Sequence, residues 1–500
     1  MDTANNHRFL RFVLTLKLLA GPAVFLLIWS LGIEGFSAAG HIALGTLAWQ
    51  VTWWILQPIP WAITSLLILA IFPLTQTMSI TETAGLFGQT VFFWIMGLTL
   101  LGYAIQKHGL AKRFALFFLT LPGAASDTGR LLFFFMLVTT CISTVISDAS
   151  SIAMMLPLGL ALQSYIDSLS SDTNTPLARK RPKTTLGAFF VLATLYAAVA
   201  GGVITIVGIP HSPVALVQLE TLTDRTIGWF QWIMVGGPTG VTLLLCFYLL
   251  LRFFFRSEIR EIPGGREFLL QERRELGAMA RGEKNVLFVF FIAAAMFIAP
   301  AALPTLLGTQ NPFVAWLDAA TSIWVVPPII LLLLFSLPVN LRKNEFTLNW
   351  RESAERLPWH VLLLVTSATA LIDALAHFGF MEVVSQSISG ISTNKITFPF
   401  LISLTTAFST NFIPGVPASA IFTGILIPIA QQFHFNPASI AMLVPSSAVG
   451  IIFPWAGATT ATAFGFGQIS LKDLVRIGIL AQLILVIVVS TYCVVFESIL

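Results

Sequence analysis

The sequence has very little charge for its length. Only 10% of its 500 residues are Asp, Glu, Lys or Arg, whereas charged residues make up about a quarter of an ordinary soluble domain. Hydrophobic residues account for 56%, and many apolar runs approach the roughly 20 residues that a helix needs to cross a bilayer. These features exclude a soluble globular chain and indicate an all-α polytopic membrane protein.

Residue patterns for disulfides, metals and catalysis are also scarce. Cys141, Cys246 and Cys493 lie in separate apolar segments, and their spacing fits neither a disulfide framework nor a zinc site. The sequence contains no His-Glu-x-x-His motif, no Asp-Asp pair and no Cys/His cluster. We therefore expect no cofactor and no enzyme. The pI near 9.0 does not indicate nucleic acid, because the cations lie in short loops.

The apolar runs predict about 11 transmembrane helices and two shorter, re-entrant hairpins. The predicted spans are 15–33, 41–56, 60–74, 90–106, 186–219, 231–254, 285–303, 323–339, 359–376, 437–469 and 477–497, and the hairpins are 131–163 and 398–432. With the N-terminus in the cytoplasm, every Lys and Arg except Arg225 and Lys395 falls on the cytoplasmic side, as basic residues usually do. We expect a multi-pass protein of the plasma membrane, which is the inner membrane if the source is a bacterium.

A charged cytoplasmic segment at 255–284 divides the chain in two. Residues 1–254 contain the first hairpin, which opens toward the cytoplasm, and residues 285–500 contain the second, which opens outward. Each hairpin is followed by a helix that Gly and Pro interrupt, around 201–213 and 453–467. Paired broken helices in two inverted-topology repeats are typical of the binding site of a secondary transporter.

The turn of the first hairpin is the most polar part of this arrangement. Asp148 and several hydroxyl side chains lie there between two apolar runs, each too short to cross the membrane comfortably. A carboxylate at that depth is costly, so Asp148 should bind a cation, take up a proton or pair with His211. Alternatively, the turn is shallower and Asp148 faces water. His211 could itself bind substrate or a proton, or it could hydrogen-bond a neighbouring carbonyl.

No Lys or Arg is predicted near the middle of the membrane. An anion bound there would therefore be held by hydroxyl groups, hairpin amides, helix N-termini and co-bound cations. A sodium-coupled anion carrier would fit this distribution of charge, because sodium would supply the positive charge that the side chains lack.

Several motifs resemble those of the divalent anion/sodium symporter family of dicarboxylate, citrate and sulfate carriers. Ser147-Asp148-Ala149 stands where the family has its first Ser-Asn-Thr, and Met154-Met-Leu-Pro157 follows in register. Thr410-Asn411 stands at the start of the second Ser-Asn-Thr. Gly208-Ile-Pro210-His211-Ser212 loosely matches the family's Gly-Thr-Pro-Pro-Asn.

The resemblance implies specific binding residues, a homodimer and an elevator-like motion. One sodium site would comprise Ser143, Ser147, Asp148 and Gly208, and the other would comprise Thr406, Ser409, Asn411 and Ala456. The substrate would contact Ser147, Asp148, Thr410, Asn411 and either His211 or Ser212.

The sequence thus predicts a secondary active transporter of small di- or multivalent anions, coupled to sodium. A proton-coupled or exchange-type permease is the alternative, and an intramembrane enzyme or a channel fits the paired hairpins less well. The expected partners are a small anion, sodium or protons, membrane lipids and a second copy of the chain, but no nucleic acid.

Overall fold

A computed structural model describes residues 2–32, 36–124, 127–171, 185–255, 264–308, 310–314, 316, 323–380, 383 and 394–498. Within these residues the chain is helical apart from one short antiparallel pair of strands and the connections. Nine of the described helical stretches are long and apolar enough to cross a membrane. The all-α membrane architecture is confirmed, whereas the exact number of spans and the inverted repeats stay predictions.

The described residues of the first half, up to the charged segment, form twelve α-helices. They are α1 (Asp2–Ser30), α2 (Ala38–Leu56), α3 (Trp61–Thr64), α4 (Leu67–Leu74), α5 (Ile80–Gly85), α6 (Thr90–Lys107), α7 (Leu110–Leu119), α8 (Thr128–Ser143), α9 (Asp148–Ser171), α10 (Thr185–Ile204), α11 (His211–Thr223) and α12 (Trp229–Phe254).

After the charged segment, the part of the chain that the structure describes forms ten more α-helices and the two strands. They are α13 (Gly265–Glu275), α14 (Arg281–Leu307), α15 (Val326–Ser336), β1 (Pro338–Asn340), β2 (Glu345–Phe346), α16 (Trp350–Arg356), α17 (Trp359–His377), α18 (Thr397–Ser409), α19 (Gly415–Gln432), α20 (Pro437–Ser447), α21 (Ala458–Gly465) and α22 (Leu471–Val495).

Three predicted span boundaries differ from the helix ends, and at one of them a capping signal was overlooked. The last span begins at Leu471 instead of 477, since the Ser470 hydroxyl accepts from the Asp473 N–H at 3.1 Å and caps α22. The predicted span 323–339 ends at Ser336, where β1 follows. The predicted span 60–74 is divided between α3 and α4.

Both predicted hairpin regions form a pair of helices joined by a short turn. Residues 144–147 join α8 to α9, and residues 410–414 join α18 to α19. The prediction that neither arm of the first hairpin is long enough to cross a membrane comfortably was wrong for α9, because its helix continues through Pro157 and holds a stretch of spanning length and composition, Asp148–Ile166.

Each hairpin packs against a broken helix through a glycine. Residues 205–210 interrupt the path from α10 to α11, and residues 448–457 interrupt the path from α20 to α21. A Cβ at Gly201 would lie 2.2 Å from the Thr140 carbonyl oxygen, and a Cβ at Gly450 would lie 2.4 Å from the Thr410 carbonyl oxygen. Any larger residue would push the hairpin away at either contact.

The broken helices lie in the interior of the molecule. Helix α10 is almost completely buried between α8, α9 and α12. Helix α11 packs along α19 and α20, so the first broken helix meets the second hairpin directly. The fold therefore brings the polar turns of the two halves to one internal region.

Candidate functional site

Backbone groups hold the turn of the first hairpin against the first broken helix. The Asp148 N–H donates to the Gly208 carbonyl at 3.2 Å. The Thr205 hydroxyl donates to the Thr144 carbonyl and accepts from the Gly208 N–H. The Ser143 hydroxyl donates to the Ala198 carbonyl at 2.7 Å. These bonds do not use the Asp148 carboxylate, whereas the Ser147 hydroxyl donates to the Ser150 hydroxyl at 3.0 Å.

Asp148 is buried and lacks a cationic partner. Its side chain is 6% exposed, and its Oδ1 accepts from the Ala149 N–H at 2.8 Å. Asp148 and Glu283 are the two carboxylates that the described residues bury. Glu283 pairs with Arg113 at 2.7 Å, whereas no described Lys, Arg or His forms an ion pair with Asp148. An unpaired buried carboxylate is expensive unless a cation or a proton joins it.

His211 lies between the two halves and does not bond to Asp148. A Cβ at Gly415 would lie 2.8 Å from His211 Nε2, and the Ser419 hydroxyl donates to the His211 carbonyl at 3.3 Å. His211 Nδ1 and the Ser212 hydroxyl are buried without a hydrogen-bond partner among the described residues. The two side chains thus mark the contact between the first broken helix and the second hairpin.

The turn of the second hairpin is held by a side chain. Asn411 is fully buried, its Nδ2 donates to the Ala407 carbonyl at 2.9 Å, and its Oδ1 accepts from the Ile452 N–H at 3.1 Å. The Thr410 hydroxyl donates back to the Ala407 carbonyl at 3.0 Å. Both side chains therefore stabilise the turn and its contact with the second break.

The remaining residues of the predicted second sodium site lie around this turn. The Thr406 hydroxyl is buried and has no hydrogen-bond partner among the described residues. The Ser409 carbonyl accepts from the N–H groups of Phe412 and Ile413. Ala456 is buried in the second break, where its N–H donates to the Phe453 carbonyl. The group offers hydroxyl and carbonyl oxygens, which are the ligands that hard cations prefer.

Sequence reasoning missed the side chains that brace the second break. The Thr460 hydroxyl donates to the Gly450 carbonyl at 2.8 Å. Gln482 of α22 donates to the Val449 carbonyl at 3.0 Å and accepts from the Ile451 N–H at 3.3 Å. A buried Gln inside the apolar helix α22 was a usable signal, since backbone that leaves a helix inside a membrane must find its hydrogen bonds elsewhere.

The absence of buried basic side chains among the described residues determines the electrostatics of the region. No Lys or Arg side chain is buried among the described residues. The fixed charge near the turns is therefore the negative charge of Asp148 when it is ionised. The partial positive charge at the N-terminus of α9 offsets it only in part, because a helix end carries roughly half an elementary charge.

Comparisons with known proteins agree with the motifs. The model of the sodium:sulfate symporter transmembrane region matches residues 13–500. The sodium-dependent dicarboxylate transporter SdcS of Staphylococcus saprophyticus is 27% identical over 479 residues, covering 94% of this chain and 89% of the relative. SdcS of Staphylococcus aureus (strain NCTC 8325 / PS 47) is 27% identical over 483 residues, with the same coverage.

Two solved transporters share the fold at low sequence identity. The Alcanivorax borkumensis YdaH transporter superposes with a TM-score of 0.53 and 13% identity, covering 84% of this chain and 88% of its own. MtrF of Neisseria gonorrhoeae, from a class of antimetabolite efflux pumps, gives 0.54 and 13%, covering 86% of this chain and 85% of its own. The expectation of a transporter instead of an enzyme is confirmed by the relatives. The chain belongs to the sodium:sulfate symporter family, and it is a multi-pass membrane transporter of anions.

Proposed function

We propose that this protein is a sodium-coupled secondary transporter of small di- or multivalent anions, with dicarboxylates as the first candidates. The carrying observation is a buried, unpaired carboxylate at a hairpin turn in a region where the described residues bury no Lys or Arg. Such a region attracts a cation first and holds an anion only once that cation is present. Relatives named as sodium-dependent dicarboxylate transporters support the same coupling.

The first sodium ion would bind at the first hairpin turn. Its ligands would be Ser143, Ser147, Asp148 and the carbonyl of Gly208. Support comes from the approach of Asp148 to Gly208, with 3.2 Å between the Asp148 nitrogen and the Gly208 oxygen. The Ser143 hydroxyl already donates its proton to Ala198, so its oxygen lone pairs remain available for a cation.

The second sodium ion would bind at the second turn, between Thr406, Ser409, Asn411 and Ala456. The unpartnered buried hydroxyl of Thr406 supports this proposal, because a bound ion is one way to satisfy a buried polar atom that has no hydrogen-bond partner. Here the amide of Asn411 would contribute its second oxygen lone pair, since the first accepts from Ile452.

The anion would lie between the two turns, against Ser147, Asp148, Thr410, Asn411, His211 and Ser212. His211 and Ser212 bring unpartnered polar atoms to this boundary. The buried hydroxyl of Thr410 already donates to the Ala407 carbonyl of its own helix. Thr410 would therefore contribute to anion binding through the shape of the turn and its backbone amide groups.

The proposed transporter consists of two inverted repeats, 1–254 and 285–500, joined by the cytoplasmic segment 255–284. The N-terminus would be cytoplasmic, and the protein would work as a homodimer in which hairpins and broken helices move together. The presence in each half of a helical hairpin followed by a broken helix supports the repeat relationship.

Proton coupling is the alternative that one observation favours. A proton on Asp148 would neutralise the same buried charge as sodium, and the unpartnered Nδ1 of His211 could accept a second proton. In that case, transport would follow the pH gradient instead of the sodium gradient.

A thermal-stability screen of the purified protein tests the proposal. Succinate, citrate and sulfate are each added in sodium chloride and, separately, in choline chloride. A ligand that binds the folded state raises the thermal midpoint. We expect stabilisation by at least one dianion in sodium only. Equal stabilisation in both salts, with a strong dependence on pH, would favour protons, and no stabilisation by any anion would contradict the proposal.

A further inference from the structure

Two arginine side chains of α13 meet at the end of α7. Arg266 Nε donates to the Thr120 carbonyl at 3.4 Å, and Arg273 Nη1 donates to the Thr120 hydroxyl at 3.1 Å. The Arg273 guanidinium also lies over the Phe117 ring, 5.2 Å from its centroid. Both arginines are exposed, whereas Thr120 is buried. We call Arg266 and Arg273 the arginine pair.

The arginine pair belongs to the face of α13 that packs on α7. Residues seven positions apart lie on the same side of a helix, and Leu269, which lies between the two arginines on that side, is completely buried. At the other end of the contact, Lys112 of α7 pairs with Glu272 of α13 at 3.0 Å. The packing of the two helices therefore holds both guanidinium groups beside the last turn of α7.

No carboxylate neutralises the arginine pair. Among the described residues, neither arginine forms an ion pair with Asp or Glu. The neighbouring cations do form such pairs, Lys112 with Glu272 and Arg113 with Glu283. Two guanidinium groups that converge on one residue repel each other, and an anion bound between them would offset that repulsion.

Capping of α7 accounts for only part of this arrangement. A basic side chain near the C-terminus of a helix can bond to the last carbonyls and interacts favourably with the helix dipole. Arg266 does so at the Thr120 carbonyl, whereas Arg273 bonds to a hydroxyl. These bonds use one N–H of each guanidinium, and the planar group carries several more donors. The pair can therefore bind a further acceptor.

Helices α7 and α13 lie at one surface of the membrane. Helix α7 has 10 residues, so its length of about 15 Å is half of the hydrocarbon thickness. It follows the stretch of spanning length Ile80–Lys107, and α13 precedes another, Arg281–Pro300. A Cβ at Gly282 would lie 2.1 Å from His108 Nδ1. The end of the first stretch and the start of the second are thus on the same side.

The exposed side of α7 next to the arginine pair is apolar. Phe114 and Phe117 are 40% and 46% exposed, and the partly exposed Leu110 lies on the same side of the helix. Exposed apolar side chains are common in this chain, so they do not identify a ligand by themselves. Here they adjoin two guanidinium groups at the membrane surface, which is where acyl chains meet charged headgroups.

We propose that the arginine pair binds the phosphate group of an anionic phospholipid, whose acyl chains lie along Phe114 and Phe117. Guanidinium groups bind phosphate oxygens through two N–H donors in a matching planar geometry. An anionic lipid supplies the net negative charge that the pair lacks, whereas a zwitterionic lipid does not. The site is separate from the proposed sodium and anion sites, so it stands or falls independently of the proposed function.

The test measures phospholipids bound to the purified full chain by native mass spectrometry. The protein in detergent is titrated with phosphatidylglycerol, with phosphatidylcholine and with inorganic phosphate. We expect phosphatidylglycerol to bind at least about tenfold more tightly than phosphatidylcholine. Equal affinity for the two lipids would overturn the proposal. Tighter binding of inorganic phosphate than of phosphatidylglycerol would overturn the lipid assignment in favour of a soluble phosphate compound.

Variants locate the binding at the arginine pair. Arg266→Gln/Arg273→Gln should weaken phosphatidylglycerol binding by about tenfold or more, because hydrogen bonds to a charged group are lost at both positions. Arg274→Gln is the matched control, since Arg274 is exposed on the same helix but turned about 100° from Arg273. Its loss should change the affinity by less than about twofold, because ions screen a charge that does not touch the headgroup.

An unchanged affinity in the double variant, or an equal loss in the control, would overturn the site. Gel filtration and thermal midpoints establish that each variant is folded. If the double variant does not fold, Arg273→Gln alone decides, with an expected loss of about three- to tenfold. An affinity equal to that of the unsubstituted protein would then refute the proposal.

Discussion

The two hairpin turns make equivalent contacts with different chemical groups. In the first, the main-chain N–H of Asp148 bonds to the Gly208 carbonyl, and Thr205 reinforces the contact. In the second, the Asn411 side chain bonds to Ile452, and its other end is fixed to Ala407. In the first turn the main chain makes the contact, so the Asp148 side chain remains available for a ligand. In the second turn the Asn411 side chain makes the contact, so much of its hydrogen-bonding capacity is already used.

This difference assigns unequal roles to the two halves. The first turn holds the buried, unpaired charge, and the second holds a rigid amide. We infer that the first turn dominates the dependence on the coupling ion, while the second fixes the geometry of the site. Each of the following substitutions tests that contrast between the two turns.

Replacing the carboxylate of the first turn should have the largest effect. Asp148→Asn keeps the size of the side chain and its acceptor for the Ala149 N–H but removes the charge. The concentration of sodium needed for half-maximal uptake should rise at least about tenfold, equivalent to 1.4 kcal/mol, because the cation loses its one charged ligand. Sodium titration of anion uptake in proteoliposomes measures this.

The matched control is Asp473→Asn. Asp473 also lies in the first turn of a helix, but it is exposed and accepts from the Ser470 hydroxyl at 2.7 Å. Its substitution should leave the sodium dependence unchanged. An unaltered sodium titration for Asp148→Asn would refute the role assigned to the first turn.

Introducing a charge into the second turn should not compensate for the first. Asn411→Asp removes the Nδ2 donor and points a carboxylate oxygen at the Ala407 carbonyl, so it should destabilise the protein by about 2–3 kcal/mol. The double variant Asp148→Asn/Asn411→Asp should therefore combine a lowered thermal midpoint with weakened sodium dependence. Recovery of normal sodium dependence in the double variant would mean that the two turns are interchangeable.

Removing the Gln482 side chain, which braces the second break, should lower the thermal stability of the protein more than it changes the coupling to sodium. Gln482→Leu leaves the Val449 carbonyl and the Ile451 N–H without their partner, at a cost of about 1–3 kcal/mol. We expect a lower thermal midpoint and a proportionate loss of transport, with unchanged sodium dependence in the protein that remains folded. A shift in sodium affinity equal to that of Asp148→Asn would place Gln482 in the ion site instead.

The smallest effect is expected far from both turns, at Glu352. Its Oε2 lies 2.6 Å from Lys107 Nζ, and its side chain is 45% exposed. The hydrogen bond from Lys107, with a second from Tyr103, lowers the pKa of Glu352 below its ordinary 4.5. Because the pKa of Glu352 is lower in the folded state than in the unfolded state, its ionised carboxylate stabilises the fold at pH values above the pKa of the unfolded state. This stabilisation is lost as the pH falls through the pKa of the folded state.

Because water screens so exposed a pair, Glu352→Gln should cost only a few tenths of a kcal/mol at pH 7. The difference from the unsubstituted protein should fade below pH 4.5. Thermal midpoints across this pH range measure it. A difference that grows on acidification would contradict the assigned sign.

The sequence was sufficient for the class of fold and for the first break, which lies within the Gly- and Pro-containing segment 201–213. It placed the second break too late, at 453–467, whereas the chain leaves regular helix at 448–457 and residues 458–465 are helical. Asp148 was identifiable because carboxylates are rare inside membranes. The helix boundaries failed where local capping competes with hydropathy, as at Ser470, whose hydroxyl starts α22 before the apolar run begins.

The partners of the site residues could not be read from the sequence. Whether Asn411 bonds to a ligand or to Ile452 depends on a contact between residues 41 positions apart, and the position of His211 beside Gly415 depends on how the two halves pack.

Sodium-driven accumulation is the measurement that tests the central claim most directly. Proteoliposomes containing the protein are loaded with choline chloride and diluted into sodium chloride with a labelled dicarboxylate, at equal pH on both sides. The account predicts transient accumulation above the external concentration, lost when sodium is equal on both sides and strongly reduced in Asp148→Asn. Accumulation that is independent of sodium and unaffected by Asp148→Asn would contradict it.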